Sequence, residues 1–245
     1  MRAPATLAAA LTLLVATTAT AEPLVADLSS HRITIDSGFT GSDVLLYGAV
    51  DIAGDMVIVV RGPEERIVVR RKDRVAGLWM NRAEMTFDRV PGYYAVAASR
   101  PLGKIASTAF LGLYQIGLDH LRLEPVTEAA EPLAVPFRDA IVRNRVRNGL
   151  YRDRIGTVSF LGARLFRTTV RFPANAPTGS YKAEIYLIRD GQVVSAETTP
   201  LFISKTGFQA EINYYALNRP AAYGLVAIAI ALIAGWLAAI LFRRT

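Results

Sequence analysis

The chain has 245 residues, with 28 Lys+Arg against 21 Asp+Glu for a net charge of +7, and no cysteine. Apolar residues make up 52% of it and are patterned, which excludes a disordered chain. The missing cysteine excludes disulfides, thiol chemistry, cysteine metal sites, haem attachment and a lipoprotein anchor, so an exported domain must rest on its apolar core.

Residues 1–21 read as a secretory signal peptide. Arg2 supplies the positive start, Leu7 to Val15 a short apolar run, and Ala19-Thr20-Ala21 the small-residue exit before Glu22-Pro23. An uncleaved anchor is the alternative, weakened by the shortness of the apolar run. Strand-like runs follow at Leu24–Leu28, Arg32–Ile35, Val44–Val50, Asp55–Arg61, Arg66–Arg71, Leu78–Asn81, Met85–Val90 and Tyr93–Ala98. Ile33/Ile35 and Met85/Phe87 alternate with polar neighbours, as half-buried strands do, while Val57-Ile58-Val59-Val60 is continuously apolar and suits a central strand. Gly and Pro punctuate the runs at turn-like intervals. This many short strands predicts an immunoglobulin-like β-sandwich, although no Cys–Trp–Cys pattern is present. Trp79 is expected to pack in a core or between domains.

The character then changes. Phe110, Leu113, Tyr114, Gly117 and Leu121 fall on one face of a helix, with Ser107 or Thr108 as its cap and Glu124-Pro125 as its end. Pro125 to Pro136 reads as a linker. A second helix is predicted over about Phe137 to Leu150, with Val142, Val146 and Leu150 as a narrow apolar stripe. The remainder is β: Leu165–Phe172, Ser180–Arg189, Gln192–Thr198, Pro200–Ser204 and Phe208–Tyr215. Asp190-Gly191 is a strong hairpin signal. From Ala221 to Phe242 no residue is charged. At about 1.5 Å per residue this stretch is roughly 33 Å long, enough to cross a bilayer as one helix. Pro220 suits its first turn, Tyr214, Tyr215 and Tyr223 its outer interface, and Arg243-Arg244 its inner end.

The predicted organisation is a signal peptide (1–21), an N-terminal β-sandwich-like module (22–103), a helical segment and linker (104–154), a C-terminal β module (155–219), and a transmembrane helix with a short cytoplasmic tail (220–245). The fold class is mainly β, immunoglobulin-like with a helical insertion. One sandwich interrupted by helices is the alternative to two modules. Without Arg2, Arg243 and Arg244 the exported part keeps a net charge of only +4.

The Ser99-Arg100-Pro101-Leu102 junction, the Tyr114-Gln115-Ile116-Gly117-Leu118 segment, the Phe172-Pro173 to Tyr181 turn and the single C-terminal helix with Arg-Arg together resemble a family. It is the "putative transmembrane protein" family of alphaproteobacteria, and the resemblance covers essentially the whole chain. The Phe172 to Tyr181 turn also resembles that of many bacterial immunoglobulin-like domains. The family resemblance implies a Gram-negative inner-membrane protein with a periplasmic domain and no assigned activity. Its family context suggests a link with anion exporters of the sulfite-export type.

Chemistry-bearing motifs are scarce. The HEXXH, Walker, GxSxG and dinucleotide patterns are absent, the two histidines His31 and His120 stand in different contexts, and no pair of carboxylates has acid–base spacing. No enzyme, cofactor or metal is expected. The positive feature is arginine density, with nine arginines between Arg138 and Arg171 opposed only by Asp139 and Asp153. Arg138, Arg143, Arg145, Arg147, Arg152 and Arg154 are the candidate contacts to a partner or anion, since arginine suits planar, bidentate anion contacts. A solvated basic face is the plain alternative. Arg61, Arg66, Arg70, Arg71, Lys72 and Arg74 form a second cluster, read as edge-strand protection. The expected function is a non-enzymatic accessory protein docking on an inner-membrane partner such as an anion transporter, with anionic lipid headgroups as a further contact and no nucleic acid. A periplasmic solute- or anion-binding sensor is the alternative.

Overall fold

The computed structural model describes residues 24–36, 38–75, 77–126, 131–205 and 220–242. The expected signal peptide, the expected strand Phe208–Tyr215 and the Arg243-Arg244 end lie outside the described residues.

Among the described residues the protein is mainly β, with three sheets. The first has the order β1 (Leu24–Leu28), β3 (Gly41–Val50), β11 (Leu165–Pro173), β10 (Ser159–Leu161). The second has the order β2 (Arg32–Ile35), β13 (Gln192–Lys205), β12 (Gly179–Arg189), β4 (Asp55–Arg61), β7 (Tyr94–Ala98), β9 (Gly156–Thr157). Their facing sides share one core. Leu24, Leu46, Phe166 and Phe172 come from the first sheet and Ile58, Tyr181, Ile185 and Leu201 from the second. Period-two alternation selects these residues, as in β1, where every second residue is buried. Tyr93 joins Phe172 and Tyr181 in an aromatic cluster with ring centroids 5.1 to 5.8 Å apart. The Tyr181 hydroxyl returns to the Pro177 carbonyl at 2.7 Å, closing the turn at which the chain re-enters the sheet.

Strands placed by sequence in separate modules pair with one another. β3 pairs β11 and β4 pairs β12, so both β regions share both sheets. Two insertions interrupt these strands in sequence. The first is a long hairpin, β5 (Glu64–Val75) and β6 (Leu78–Pro91), which with β8 (Glu124–Pro125) makes the third sheet. The second is helical: α1 (Leu102–Ile105), α2 (Thr108–Tyr114), a 3₁₀ turn (Leu118–His120) and α3 (Glu131–Arg147).

The helical layer explains the apolar run in β4. One side of that strand faces the core shared by the first two sheets, while Val57 and Val59 pack with Leu102, Ile105, Leu111 and Ile116 on the other. The strand lies between β12 and β7, central as its sequence predicts.

Several local expectations are corrected. The helix expected to reach Leu121 stops at Tyr114, because Gln115 turns left-handed (φ 52°) and drives Ile116 into full burial. Ser107 caps its start as expected, accepting from the Phe110 N–H. The second helix begins at Glu131 rather than Phe137 and carries Pro136 inside it. The expected strands Leu78–Asn81 and Met85–Val90 are one strand, β6. The apparent gap is a bulge in which Arg71 pairs Ala83 and Lys72 pairs Asn81, leaving Arg82 as the extra residue. Gln192–Thr198 and Pro200–Ser204 likewise form one strand. Pro200 is tolerated because β2 begins to pair the outer side of β13 only at Phe202. Trp79 is no core residue, being 70% exposed near the hairpin tip.

The last helix, α4, spans Pro220–Phe242. Counting only described residues, no helix is long and apolar enough to cross a membrane. Several side chains of α4 fall outside that count, and the case for a span rests on its uncharged sequence.

Candidate partner interface

The six nominated arginines separate into three groups. Arg143, Arg145 and Arg147 line a groove of about 600 Å³ between α3 and β5. Arg66 and Arg70 line it from the hairpin, and no Asp or Glu is among the lining residues. The groove exists because α3 lays Phe137 and Ile141 onto Phe87 and Val90 of β6, with Ile67 and Val69 of β5 packed against them. Helical spacing then carries Arg143 and Arg147, four apart, to the rim.

Arg138 is absent from that groove but borders a neighbouring pocket of about 710 Å³ together with Arg143, Arg147, Asp119 and Asp139, and donates from Nε to the Leu123 carbonyl at 2.6 Å. That contact ties α3 to the segment before β8. Arg152 and Arg154 border a separate cleft of about 310 Å³ with Arg171 and Asp153, at the edge where β7 meets the chain after α3.

The five groove arginines are not equivalent. Arg145 is largely buried and meets Glu65 at 2.6 Å, clamping helix to hairpin. Arg66 forms a two-pronged contact with Asp88, at 2.5 and 2.9 Å, and holds that carboxyl below the usual carboxylate range. Arg70 meets Glu84 at 3.2 Å. Arg143 and Arg147 are exposed and make no ion pair among the described residues. The groove is therefore built by three ion-paired arginines and presents two that make no ion pair among the described residues, with Asp139 beside them in an adjoining pocket. Arginine pairs of this kind suit carboxylate, phosphate or sulfate oxygens.

The α3 side of this groove carries three of the arginines nominated from sequence, and the β5 side carries none of them. Arg66 and Arg70 read from sequence as edge protection, and β5 is indeed exposed, but the same side chains complete the groove. Arg66 and Arg70 alternate with the half-buried Ile67 and Val69, the period-two signal of a half-buried strand. Nothing in it signals which helix covers the buried face.

The remaining clusters are structural. Arg61 pairs with Glu184 and donates to the Tyr114 carbonyl at 2.8 Å, joining the second sheet to α2. Asp55 meets Ser99 and Arg100, and the Arg100 guanidinium lowers its pKa. His31 lies 2.9 Å from Asp27, while His120 ends the 3₁₀ turn. Among the described residues no three His, Asp or Glu converge as metal ligands.

A mainly β body carries an uncharged C-terminal helix and an arginine-lined groove. The chain belongs to the family described as "Putative transmembrane protein (Alph_Pro_TM)", matched over residues 23–244. That description gives a membrane location and no activity. No curated protein matches the chain.

Proposed function

We propose that this is a non-enzymatic accessory protein, anchored by α4 in the bacterial inner membrane with residues 22–219 in the periplasm and the C-terminus in the cytoplasm. It docks through the α3–β5 groove on an acidic segment of an inner-membrane partner, such as an anion transporter. The observation that carries the reading is the pair Arg143 and Arg147, exposed and without an ion pair among the described residues, on a groove with no acidic lining. The body beneath it is read as immunoglobulin-like. The order β1-β3-β11-β10 over β13-β12-β4-β7 supports this, as it follows the ABED and GFCC′ sheets of that fold, and so does the Tyr181 corner. Such sandwiches serve widely as interaction scaffolds, although the fold alone does not define a function.

The test is co-purification of the tagged full-length protein in mild detergent. An inner-membrane permease recovered with the native chain and lost with Arg143→Gln/Arg147→Gln supports docking. Recovery of the protein alone from native membranes contradicts it.

A sensor for small oxyanions is the second reading, favoured by a groove volume large enough for sulfate or phosphate with room for water. Sulfate-dependent thermal stabilisation of the native chain, absent in the double variant, would support this reading over docking.

A further inference from the structure

The β5–β6 hairpin is a continuation of the second sheet. β4 and β7 pair up to Arg61 and Tyr94. The ladder then passes through Gly62 N–H to the Tyr93 carbonyl (2.8 Å) and Gly92 N–H to the Pro63 carbonyl (2.7 Å), and resumes at Glu64 and Pro91. Gly62 is needed here, since a Cβ on it would meet the Tyr93 backbone nitrogen at 2.8 Å. The ribbon then runs 12 residues in β5, a reach of about 40 Å at the usual strand rise.

Its direction of departure is informative. β4 and β13 flank β12 and both run antiparallel to it, so they point the same way. Arg61 pairs Lys182, and Lys182 pairs Pro200 of β13, which runs on to Lys205. The hairpin and the chain that leads to α4 therefore leave the body from one end.

The tip chemistry fits that location. Leu78, Trp79 and Met80 are consecutive, apolar and more than half exposed. Exposed apolar side chains in a row mark a contact surface. Lys72, Arg74 and Arg82 surround them and make no ion pair among the described residues. Arg74 only turns back to the Gly77 carbonyl at 3.2 Å, while Arg71 and Asp73 offset each other at 3.2 Å. Tryptophan favours the bilayer interface, and basic residues beside it are drawn to anionic headgroups.

We propose that Leu78-Trp79-Met80, with Lys72, Arg74 and Arg82, docks into the headgroup region of an anionic lipid bilayer, the one that holds α4. The tip is then a second membrane contact, fixing the tilt of the body and the direction in which the arginine groove faces. This rests on the reading that α4 spans that bilayer, and the experiment separates the two.

The chain has two tryptophans, Trp79 and Trp236, one for each claim. Full-length protein is reconstituted in nanodiscs of phosphatidylcholine with or without phosphatidylglycerol, carrying brominated acyl chains that quench only lipid-contacting indoles. In a Trp236→Phe background, Trp79 emission should fall by about half in the anionic discs and shift to the blue, as for an interfacial indole. Lys72→Gln/Arg74→Gln/Arg82→Gln should return it to the value in pure phosphatidylcholine. In a Trp79→Phe background, Trp236 quenching reports α4 insertion independently. Trp236 quenched with Trp79 still open to aqueous iodide would overturn the docking and leave the anchor standing. Equal Trp79 quenching in both lipids would overturn the role of the basic side chains. Trp79 shielded only when a second protein is co-reconstituted would assign the tip to that protein. Neither tryptophan quenched would overturn anchor and docking together.

Discussion

Tyr94 joins the covering layer to the sheet through one hydroxyl. It donates to the Gln115 carbonyl at 2.7 Å and accepts from the Gly117 N–H at 2.9 Å, serving both polar groups at the break after α2. Tyr94→Phe keeps the ring and strands both partners, so it should cost about 1–3 kcal/mol in unfolding free energy, read from denaturant titration. The same residue sets an alkaline limit. Burial pushes its pKa up to about 12, and burial raises Tyr93, Tyr151 and Tyr181 as well. A raised tyrosine pKa means that the folded state keeps a proton that the unfolded state releases. Stability is therefore full below about pH 10 and falls as pH rises towards 12, by about 1.4 kcal/mol per pH unit for each such tyrosine. Thermal midpoints measured across pH 9 to 11.5 should drop steeply above 10, and less steeply in Tyr94→Phe. A flat profile would mean that these hydroxyls are not buried.

At the scale of elements, the hairpin and α3 carry different burdens. The tip touches little of the protein, so Trp79→Ser should change unfolding free energy by less than about 0.5 kcal/mol. Ile141→Ala, under α3, should cost about 2–5 kcal/mol by leaving a cavity against Phe87 and Phe137. Chevron or equilibrium unfolding of the two variants checks the contrast, and similar losses would show that the tip is packed after all. The elements also show what sequence makes legible. β1, β2 and β4 follow directly from alternation and from one apolar run, and Asp190-Gly191 turns as predicted, both residues at positive φ. The end of α2 was hidden because Leu121 continues the helical spacing even though a 3₁₀ turn, not an α-helix, delivers it. β6 read as two strands because the bulged Arg82 falls among polar neighbours. The arginine groove was half legible. Charge density marks α3, but its union with β5 depends on contacts between residues such as Glu65 and Arg145, eighty positions apart.

For the whole molecule, the two insertions convert a two-sheet body into an oriented one. The hairpin leaves the end that leads to α4, and α3 fastens to the hairpin's first strand, so the groove sits beside the ribbon's base rather than on an open face of the first two sheets. An arginine-led contact of this kind weakens with ionic strength, since screening shortens to about 3 Å at 1 M salt. Partner recovery should therefore fall as salt is raised during solubilisation, whereas retention of the protein in the membrane fraction should not. Whether the groove docks on an inner-membrane protein, as proposed, is decided by site-specific photo-crosslinking in intact cells. Asn144 lies in the groove between Arg143 and Arg145 and is exposed, so a photoreactive residue placed there samples whatever occupies it. The account predicts one adduct with an integral membrane protein, abolished by Arg143→Gln/Arg147→Gln with expression and membrane retention unchanged. No adduct, or an adduct that survives loss of both arginines, would contradict it.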